Sequence, residues 1–474
     1  MIGRRRRRQR LRPRRCGPGE EIEEMTNVAI VGAGCAGLGA AATLLETTNA
    51  NVWIFEALGR NGGRTWTYSG DLPVDLGAEA MEQPASNPWV EIATMLDFEM
   101  IDVSQTTLYR VFADGAWSSE GSTPGIELVD AVLQEGFTTR RGQPNLPIIG
   151  ALRNWDDVSP QMVSLALSSN PFYGPIKESA EPWQYVAADM YRQQQLGPSD
   201  DVPPKFVKRG VGRLVSRFAA YLEETYPQRL KIRQNAPVAQ VNGEDGNLML
   251  ATGDAILSDY CIVTVPVSTI LQIAFTPPLP DDRVAAYGTL RLGSYKKVGF
   301  RPEVPPSDGD TIEPGTLYYV FDALLGGSWQ YSWLPTDPTI LLCAASGNFA
   351  AQLDGMTDDE VLTRLIELLT AAHPSGNFAP KPGADQQPEV AISNWTAQPG
   401  IHGAFSYTSY DGGVADDPRP LAARQLSAKP HGRAYFAGEA CYFKNYGTIA
   451  GAYLSGAEAA RLLKEERGLP GPDQ

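Results

Sequence analysis

The sequence predicts an α/β fold with a dinucleotide-binding domain and a second, α+β domain, and three observations support this. An apolar strand pattern at residues 28–31 runs into the glycine-rich turn GAGCAG at residues 32–37, and a helical pattern follows over residues 38–45. A second apolar strand pattern, at residues 52–55, ends in the acidic residue Glu56. With 474 residues, 43% of them hydrophobic, the chain is also long enough for two or more domains.

Each glycine of the first turn has a separate task in nucleotide binding. Gly32 permits the tight turn, Gly34 lets the backbone approach a pyrophosphate, and Gly37 lets helix and strand pack closely. The start of the helix, which includes Ala36, directs N–H groups and a positive dipole end at the phosphates. Glu56 is placed to bind the ribose hydroxyls of an adenosine. The motif predicts a bound dinucleotide and leaves NAD and FAD open at this point.

Composition and charge argue against several classes of function. Residues 1–15 contain nine arginines and no acid, and removing these nine charges from the net charge of −15 leaves −24 on the rest of the chain. Such an acidic body argues against nucleic-acid binding and favours cationic substrates. Residues 1–24 are predicted to be a disordered arginine-rich extension, with a nucleic-acid or membrane tail as the alternative.

Cysteine and histidine usage limits the compartment and the metal chemistry. The five cysteines are odd in number and widely spaced, which favours a reducing cytoplasm over a disulfide framework. Three histidines argue against a histidine-based metal site, so no metal is expected. No apolar run reaches membrane-spanning length, so no membrane association is expected.

Further motifs occur along the whole chain in a fixed order. They are EALGRNGGR at 56–64, DLGA at 75–78, RGVGRL at 209–214, NAPV at 235–238, CIVTVP at 261–266, YFAGEA at 435–440 and YGTIAGAYLSG at 446–456. Over residues 28 to about 465 the chain thereby resembles the flavin monoamine oxidase family, the polyamine and monoamine oxidase-like branch of the FAD-dependent amine oxidases.

This resemblance implies a Rossmann-type FAD-binding domain of the GR2 class, assembled from residues 25–85, 205–285 and 395–466. Residues 86–204 and 286–394 would form a substrate-binding domain with a mixed sheet and helices. FAD is expected to be held non-covalently, because Ala404 stands where mitochondrial monoamine oxidases have the tethering cysteine. The cofactor contacts that the resemblance implies are Gly32, Gly34, Ala36, Gly37, Glu56, Gly63, Arg64, Gly77, Ala78, Glu79, Val238, Gly438, Glu439, Thr448 and Ile449.

Aromatic residues near position 400 predict a substrate pocket. The segment from Trp395 to Tyr407, which includes His402, resembles a family segment that lines the substrate site. Phe405 falls where the family places a ring against the substrate amine, and Thr448 replaces the aromatic residue expected opposite it. For Trp395 and Tyr407, ordinary core packing is an equally weighted alternative.

Two acids follow the second glycine turn. Amino-acid oxidases need an arginine here to bind the substrate carboxylate, and Ala80 occupies its usual place. Glu82 matches an acid that polyamine oxidases use near the flavin, and Glu79 lies three residues earlier. Either carboxylate can attract a substrate ammonium or take its proton, with Glu82 preferred; the alternative is that both are solvated loop charges.

The stretch LGSYKKVGF, residues 292–300, places two lysines side by side in a strand-like run. Side chains alternate along a strand, so Lys296 and Lys297 point to opposite faces. The family pattern of a glycine, three residues and a lysine fits Gly293 and Lys297. In the family that lysine holds a water at flavin N5 and assists the reaction with dioxygen. Lys296 is then expected to be an edge or snorkelling lysine, and the opposite assignment of the two lysines stays open.

The function implied by the resemblance is an FAD-dependent oxidase of an amine. Hydride would leave the carbon next to nitrogen to give an imine, and dioxygen would become hydrogen peroxide. The alternatives are a tailoring oxidase of an amine or amide in bacterial secondary-metabolite biosynthesis, an L-amino acid oxidase, a carotenoid-type desaturase and a non-catalytic flavin-binding protein. The expected partners are a small-molecule amine or amide and dioxygen, and whether the chain forms a homodimer is left open.

Overall fold

The computed structural model describes residues 25–103, 109–113, 115–117, 202–307, 309–408, 419–442 and 445–472. The arginine-rich extension and most of residues 86–204 lie outside these described residues. The chain divides into two compact units. The first unit comprises Met1–Thr65, Leu214–Leu290 and Leu421–Gln474, and the second comprises Trp66–Arg213 and Arg291–Pro420.

The secondary structure alternates between strands and helices along the chain. The strands are β1 (Asn27–Val31), β2 (Asn51–Phe55), β3 (Ala80–Met81), β4 (Met100–Asp102), β5 (Tyr109–Ala113), β6 (Ala116–Trp117), β7 (Lys205–Val207), β8 (Leu230–Arg233), β9 (Val238–Asn242), β10 (Leu248–Leu250), β11 (Ala255–Ile256), β12 (Tyr260–Val263), β13 (Ala274–Thr276), β14 (Leu290–Leu292), β15 (Tyr295–Phe300), β16 (Pro302–Val304), β17 (Leu317–Asp322), β18 (Gly327–Leu334), β19 (Asp337–Ser346), β20 (Asn377–Pro380), β21 (Val390–Ile392), β22 (Ser406–Thr408) and β23 (Ala434–Phe436). The helices are α1 (Cys35–Thr47), α2 (Pro88–Met95), α3 (Val211–Thr225), α4 (Val267–Ile270), α5 (Asp281–Thr289), α6 (Gly347–Leu353), α7 (Asp358–Ala372), α8 (Arg419–Ser427) and α9 (Ile449–Arg467), with a short 3-10 helix at Glu439–Cys441.

The first unit contains a five-stranded parallel sheet in the order β23-β12-β1-β2-β8. Its central strands are almost wholly apolar and buried, as expected for a parallel sheet that is covered on both faces. Helices α1 and α9 approach each other closely because glycines line their contact. A Cβ atom on Gly456 would lie 1.9 Å from the carbonyl oxygen of Ala36. This sheet and its helices confirm the predicted α/β fold.

The second unit contains a seven-stranded mixed sheet in the order β21-β15-β19-β18-β17-β5-β6. Helices α6 and α7 cover one face, and their apolar residues share a buried core with Val298 and Phe300 of β15. Helix α7 begins with a capping box in which Thr357 and Glu360 each satisfy the other's backbone N–H. On the opposite face of the sheet, a smaller cluster forms around Val74 of the segment that leads to the second glycine turn.

Three segments that we assigned to the FAD-binding domain cluster instead with the second unit: residues 66–85, 205–213 and 395–420. Residues 66–85 pack against β15, residues 205–207 form β7, which pairs with β3 and β4, and Trp395 donates a hydrogen bond to Leu76. Gly299 of β15 leaves room for Val74, since a Cβ atom at Gly299 would lie 2.7 Å from a methyl carbon of Val74. Among the described residues, no helix is long and apolar enough to cross a membrane.

Candidate functional site

The glycine-rich turn of the first unit has a backbone that side chains would disrupt. Gly32 has φ +107°, a conformation that L-residues rarely adopt. A Cβ atom on Gly37 would lie 1.9 Å from the carbonyl oxygen of Gly32. Gly34 occupies the N-cap of α1 and has no side chain to cap the helix. The first turn of α1 therefore presents its N–H groups to whatever lies in front of it, an arrangement that suits a phosphate.

Glu56 lies buried at the end of β2, next to this turn. One oxygen of its carboxylate accepts a hydrogen bond from the backbone N–H of Ala33 at 2.7 Å, and the other accepts one from Leu58 at 2.8 Å. Burial raises the pKa of Glu56, and the two N–H donors act in the opposite direction. The turn and the acid are thus fixed together, and the predicted contact of Glu56 with a ribose stays a prediction.

A second charged group of the first unit joins distant parts of the chain. Arg64 Nη1 lies 2.7 Å from one carboxylate oxygen of Glu439, and the other oxygen accepts the N–H of Gly447 at 2.9 Å. Directly afterwards Thr448 caps α9, because its hydroxyl oxygen accepts the N–H of Gly451 at 2.9 Å. The Thr448 hydroxyl oxygen therefore already accepts a hydrogen bond from the first turn of α9.

A small cleft with a cavity volume of about 10 Å³ lies within the first unit, and both Arg64 and Glu439 line it. Tyr287 and Cys441 contribute to its wall, and most other lining residues are apolar. Burial raises the pKa of the Cys441 thiol to about 11. The Ser427 hydroxyl donates a hydrogen bond to this sulfur, which lowers the pKa in part. The glycine-rich turn, the helix start without a side-chain cap, the buried acid and the arginine together fit a dinucleotide.

Three other predicted cofactor contacts lie in the first unit. Val238 begins β9, and Gly63 has a left-handed backbone with φ +58°. The N–H of Gly438 donates to the hydroxyl of Ser455 at 3.1 Å. Their roles in cofactor binding stay predictions.

In the second unit, Lys297 is buried and its ammonium has three acceptors. Nζ donates to the carbonyl oxygens of Asp75 at 3.1 Å and Gly77 at 2.8 Å, and to the carboxylate of Glu79 at 2.6 Å. The backbone N–H of Lys297 donates to the Ser393 hydroxyl at 2.8 Å. The structure therefore brings together Lys297, Gly77 and Glu79, three residues that the sequence singled out separately.

Asp75 has a role that the sequence did not reveal, although it belongs to the DLGA motif. One carboxylate oxygen accepts the N–H of Val211 at 2.8 Å; the other accepts the N–H of Gly212 at 3.2 Å and the hydroxyl of Thr67 at 2.5 Å. Asp75 thus caps the start of α3 while its carbonyl oxygen binds Lys297. Burial raises the pKa of Asp75 to about 6, against the opposing effect of its hydrogen-bond donors.

Glu82 directly follows β3, and Glu79 directly precedes it. The side chain of Glu82 has exposed surface, yet the protein around it desolvates the carboxyl and, together with the charge of Glu79, raises its pKa to about 7. The next residue, Gln83, has φ +48°, a conformation uncommon for a residue other than glycine.

The predicted aromatic residues of the second unit differ in exposure. Trp395 is buried, and its Nε1 donates to the carbonyl oxygen of Leu76 at 2.8 Å, so it holds the same loop as Lys297. Tyr407 is buried in β22, whereas Phe405 is partly exposed. His402 is exposed and has φ +56°. Their contact with a substrate stays a prediction.

The expectation for Lys296 is wrong. This side chain is fully buried, and Nζ lies 3.3 Å from a carboxylate oxygen of Asp354, the C-cap of α6. The second carboxylate oxygen accepts a short hydrogen bond from the Thr396 hydroxyl. Lys296 is neither at an edge nor able to reach solvent, because β15 pairs with β19 and β21 on its two sides and helices cover this face.

Comparison with protein families gives two matches. The model of flavin containing amine oxidoreductases matches residues 135–464. The model of NAD(P)-binding Rossmann-like domains matches residues 30–96, which include the glycine-rich turn and Glu56.

Individual relatives are distant but match nearly the whole chain. Polyamine oxidase 4 of Oryza sativa subsp. japonica is 23% identical, over 94% of this chain and 90% of its own length. Lysine-specific histone demethylase 1 homolog 1 of Arabidopsis thaliana is 24% identical, over 94% of this chain and 53% of its own length. Among solved structures, cyclohexylamine oxidase from Brevibacterium oxydans IH-35A aligns with a TM-score of 0.70 at 20% identity, over 94% of this chain and 100% of its own. Wild-type putrescine oxidase bound to putrescine aligns with a TM-score of 0.65 at 17% identity, over 93% of this chain and 99% of its own. At these identities, the solved structures show a shared fold.

Proposed function

We propose that this chain, which belongs to the family of flavin-containing amine oxidoreductases, oxidises a cationic amine and passes the electrons to dioxygen, with hydrogen peroxide as the second product. Its cofactor is FAD, which supplies the two-electron oxidation of the carbon next to nitrogen. The observation that carries the proposal is the cluster in the second unit, where Lys297 binds Glu79 and where Glu82 has a raised pKa.

Binding of FAD is supported by residues of the first unit. Glu56 would hold the adenosine ribose, and the start of α1 together with Arg64 would hold the pyrophosphate. Glu439, which is fixed by Arg64 and by the N–H of Gly447, would bind the ribityl–pyrophosphate part.

The acidic residues support a cationic amine as the substrate. An amine arrives as an ammonium ion at neutral pH, and it must lose a proton before its carbon can be oxidised. A carboxyl whose pKa is raised towards 7, as that of Glu82 is, can accept this proton near neutral pH. The acidic charge of the chain body favours the approach of cations.

An amino acid is a poorer candidate substrate. Ala80 stands where the resemblance would require an arginine for the substrate carboxylate, and Glu79 and Glu82 flank that position with negative charge. A carboxylate-bearing substrate would therefore meet like charge. This supports an amine without a carboxylate next to its nitrogen.

Replacing Glu82 tests the proposal. Glu82→Gln should lower kcat/KM by about 10- to 1000-fold in a peroxide-coupled amine screen, the range typical of losing one acid–base group, with an unchanged flavin spectrum. Glu99→Gln is the matched control, because Glu99 is an exposed acid of the same unit that pairs with Lys208. Unchanged turnover in Glu82→Gln, or no peroxide with any amine, would contradict the proposal.

We also propose that FAD is held without a covalent bond. Ala404 replaces the tethering cysteine, and the thiol in the cleft, Cys441, has a pKa raised far above neutral. Acid precipitation should release yellow flavin into the supernatant. Flavin that stays with the precipitated protein would show a covalent bond.

A further inference from the structure

Glu79 is the counter-ion of Lys297, and the geometry of this pair is specific. The three N–H groups of an ammonium match the three acceptors present: two carbonyl oxygens and the Glu79 carboxylate. Only 4% of the Lys297 side chain is exposed, compared with 29% of the Glu79 side chain. A buried charge needs such a partner, because an isolated ammonium in the protein interior is costly.

Other titratable groups lie around this pair on each element that contacts it. On β15, the ring of Tyr295 lies 6.0 Å from Lys297 Nζ. On the preceding loop, Asp75 binds Nζ through its carbonyl oxygen, while its carboxylate caps α3. Glu82 follows three residues after Glu79, and the charge of Glu79 is, after burial, the second cause that raises the pKa of both Glu82 and Tyr295. One carboxylate therefore influences a lysine, an acid and a tyrosine.

We propose that Glu79 is a positioning residue whose carboxylate fixes the Lys297 ammonium on the turn at residues 75–77, where Nζ also donates to the carbonyl oxygens of Asp75 and Gly77. As a consequence, the same negative charge should make Glu82, three residues along the chain, release its proton at higher pH. The inference rests on the proposed function, in that it assumes that Lys297 and Glu82 serve the oxidation. The sequence made Glu79 a candidate acid–base group. In this proposal Glu79 acts instead through Lys297 and Glu82.

Removing the charge of Glu79 should change the hydrogen bonding of Lys297 and the pKa of Glu82, each in a defined direction. Lys297 keeps two carbonyl acceptors but loses its only charged hydrogen-bond partner among the described residues. Glu82 loses a nearby negative charge, so its pKa should fall. A base with a lower pKa is ionised at lower pH, and the ascending limb of the pH profile should move in the acidic direction.

A double-mutant cycle tests the first half of the inference without turnover. The measured quantity is the unfolding equilibrium constant of the FAD-loaded protein. It should show a coupling of about tenfold between Glu79→Gln and Lys297→Met when the two single variants are compared with the double variant. The control cycle uses Glu99→Gln and Lys208→Met, an exposed pair of the same unit with a 2.7 Å contact, and should show about threefold or less. Equal coupling in the two cycles would overturn the positioning role.

The pH profile tests the second half. In Glu79→Gln, the ascending limb of kcat/KM should shift to lower pH by roughly one unit, and Glu79→Asp should restore much of the original profile. A fall in kcat/KM without a shift would show that Glu79 itself carries the chemistry and would overturn the inference.

If no amine is oxidised at all, the proposed function fails. In that case the pKa of Glu82 is followed through stability instead. The difference in the free energy of unfolding between wild type and Glu82→Gln is measured against pH, once with Glu79 present and once in the Glu79→Gln background. If the pKa of Glu82 is the same in both backgrounds, the inference is likewise overturned.

Discussion

Lys296 and Lys297 are neighbours on one strand, and both are buried, but they belong to different environments. Lys296 lies under α6 and α7 and pairs with Asp354, whose side chain is 5% exposed. Lys297 points to the opposite face and pairs with Glu79, whose side chain is 29% exposed. Burial alone therefore does not distinguish the two lysines. The partners of each lysine make that distinction.

The two partners also differ in what surrounds them. Asp354 ends a helix, its side chain is 5% exposed, and it accepts a hydrogen bond from the Thr396 hydroxyl as well as pairing with Lys296. Glu79 lies between Asp75, which caps a helix, and the short strand β3, after which comes Glu82, whose pKa is raised. Perturbed acids close to a buried cation are typical of functional sites, whereas a closed ion pair is typical of structural ones.

The largest expected effect separates the two lysines by chemistry. Lys297→Met should slow the reaction of the reduced enzyme with dioxygen by about 10²- to 10³-fold, the range found when one preorganised charge or donor is removed, while FAD stays bound. Stopped-flow kinetics of reduction and reoxidation measure this. The control is Lys296→Met, which should leave both rates nearly unchanged. The reverse result would move the functional assignment to Lys296.

The next effect concerns stability on the helix-covered face. Lys296→Met should lower the free energy of unfolding by about 3 kcal/mol, because Asp354 would stay buried without its cation. Urea unfolding of the holoenzyme measures this loss. Adding Asp354→Asn should recover part of it, since the buried negative charge is then gone as well. A double variant no more stable than Lys296→Met would contradict this account of the pair.

A smaller effect tests the packing on the Lys297 face. Gly299→Ala should cost about 2 kcal/mol, because the new methyl group would lie 2.7 Å from a buried methyl carbon of Val74. Gly288→Ala in α5 is the control; nothing lies within 4 Å of the added atom, so that change should be neutral or slightly stabilising. If Val74→Ala does not relieve the loss at Gly299, the clash is not its cause.

The smallest effect is the pH dependence that comes from Glu82. Its pKa is raised from 4.5 to about 7 in the folded state, so the stability it contributes is full below pH 4.5 and is lost as the pH rises towards 7. Asp75 titrates in the same range with a pKa of about 6, so the difference between wild type and Glu82→Gln is the useful measure. As the pH rises, the free energy of unfolding of Glu82→Gln should increase relative to that of wild type. A constant difference from pH 4 to 8 would exclude a raised pKa.

Local patterns were sufficient for part of this fold. The turn at Gly32–Gly37 and the acid Glu56 follow from residue spacing within about thirty positions, and the structure confirms the strand–turn–helix unit that they predict. Strand alternation was likewise sufficient to place Lys296 and Lys297 on opposite faces, because the side-chain period of a strand is fixed by its backbone.

Contacts between distant residues decided the rest. Lys297 and Glu79 are 218 positions apart, and Trp395 and Leu76 are 319 apart, so no local pattern could pair them. The sequence could not show that Lys296 is buried, because an ammonium in a strand reads as an edge charge until α6 and α7 cover it. The sequence by itself determined which residue types lie where along each element. Only the tertiary structure decided which of them meet, because the stability of a buried charge depends on the partner that folding brings to it.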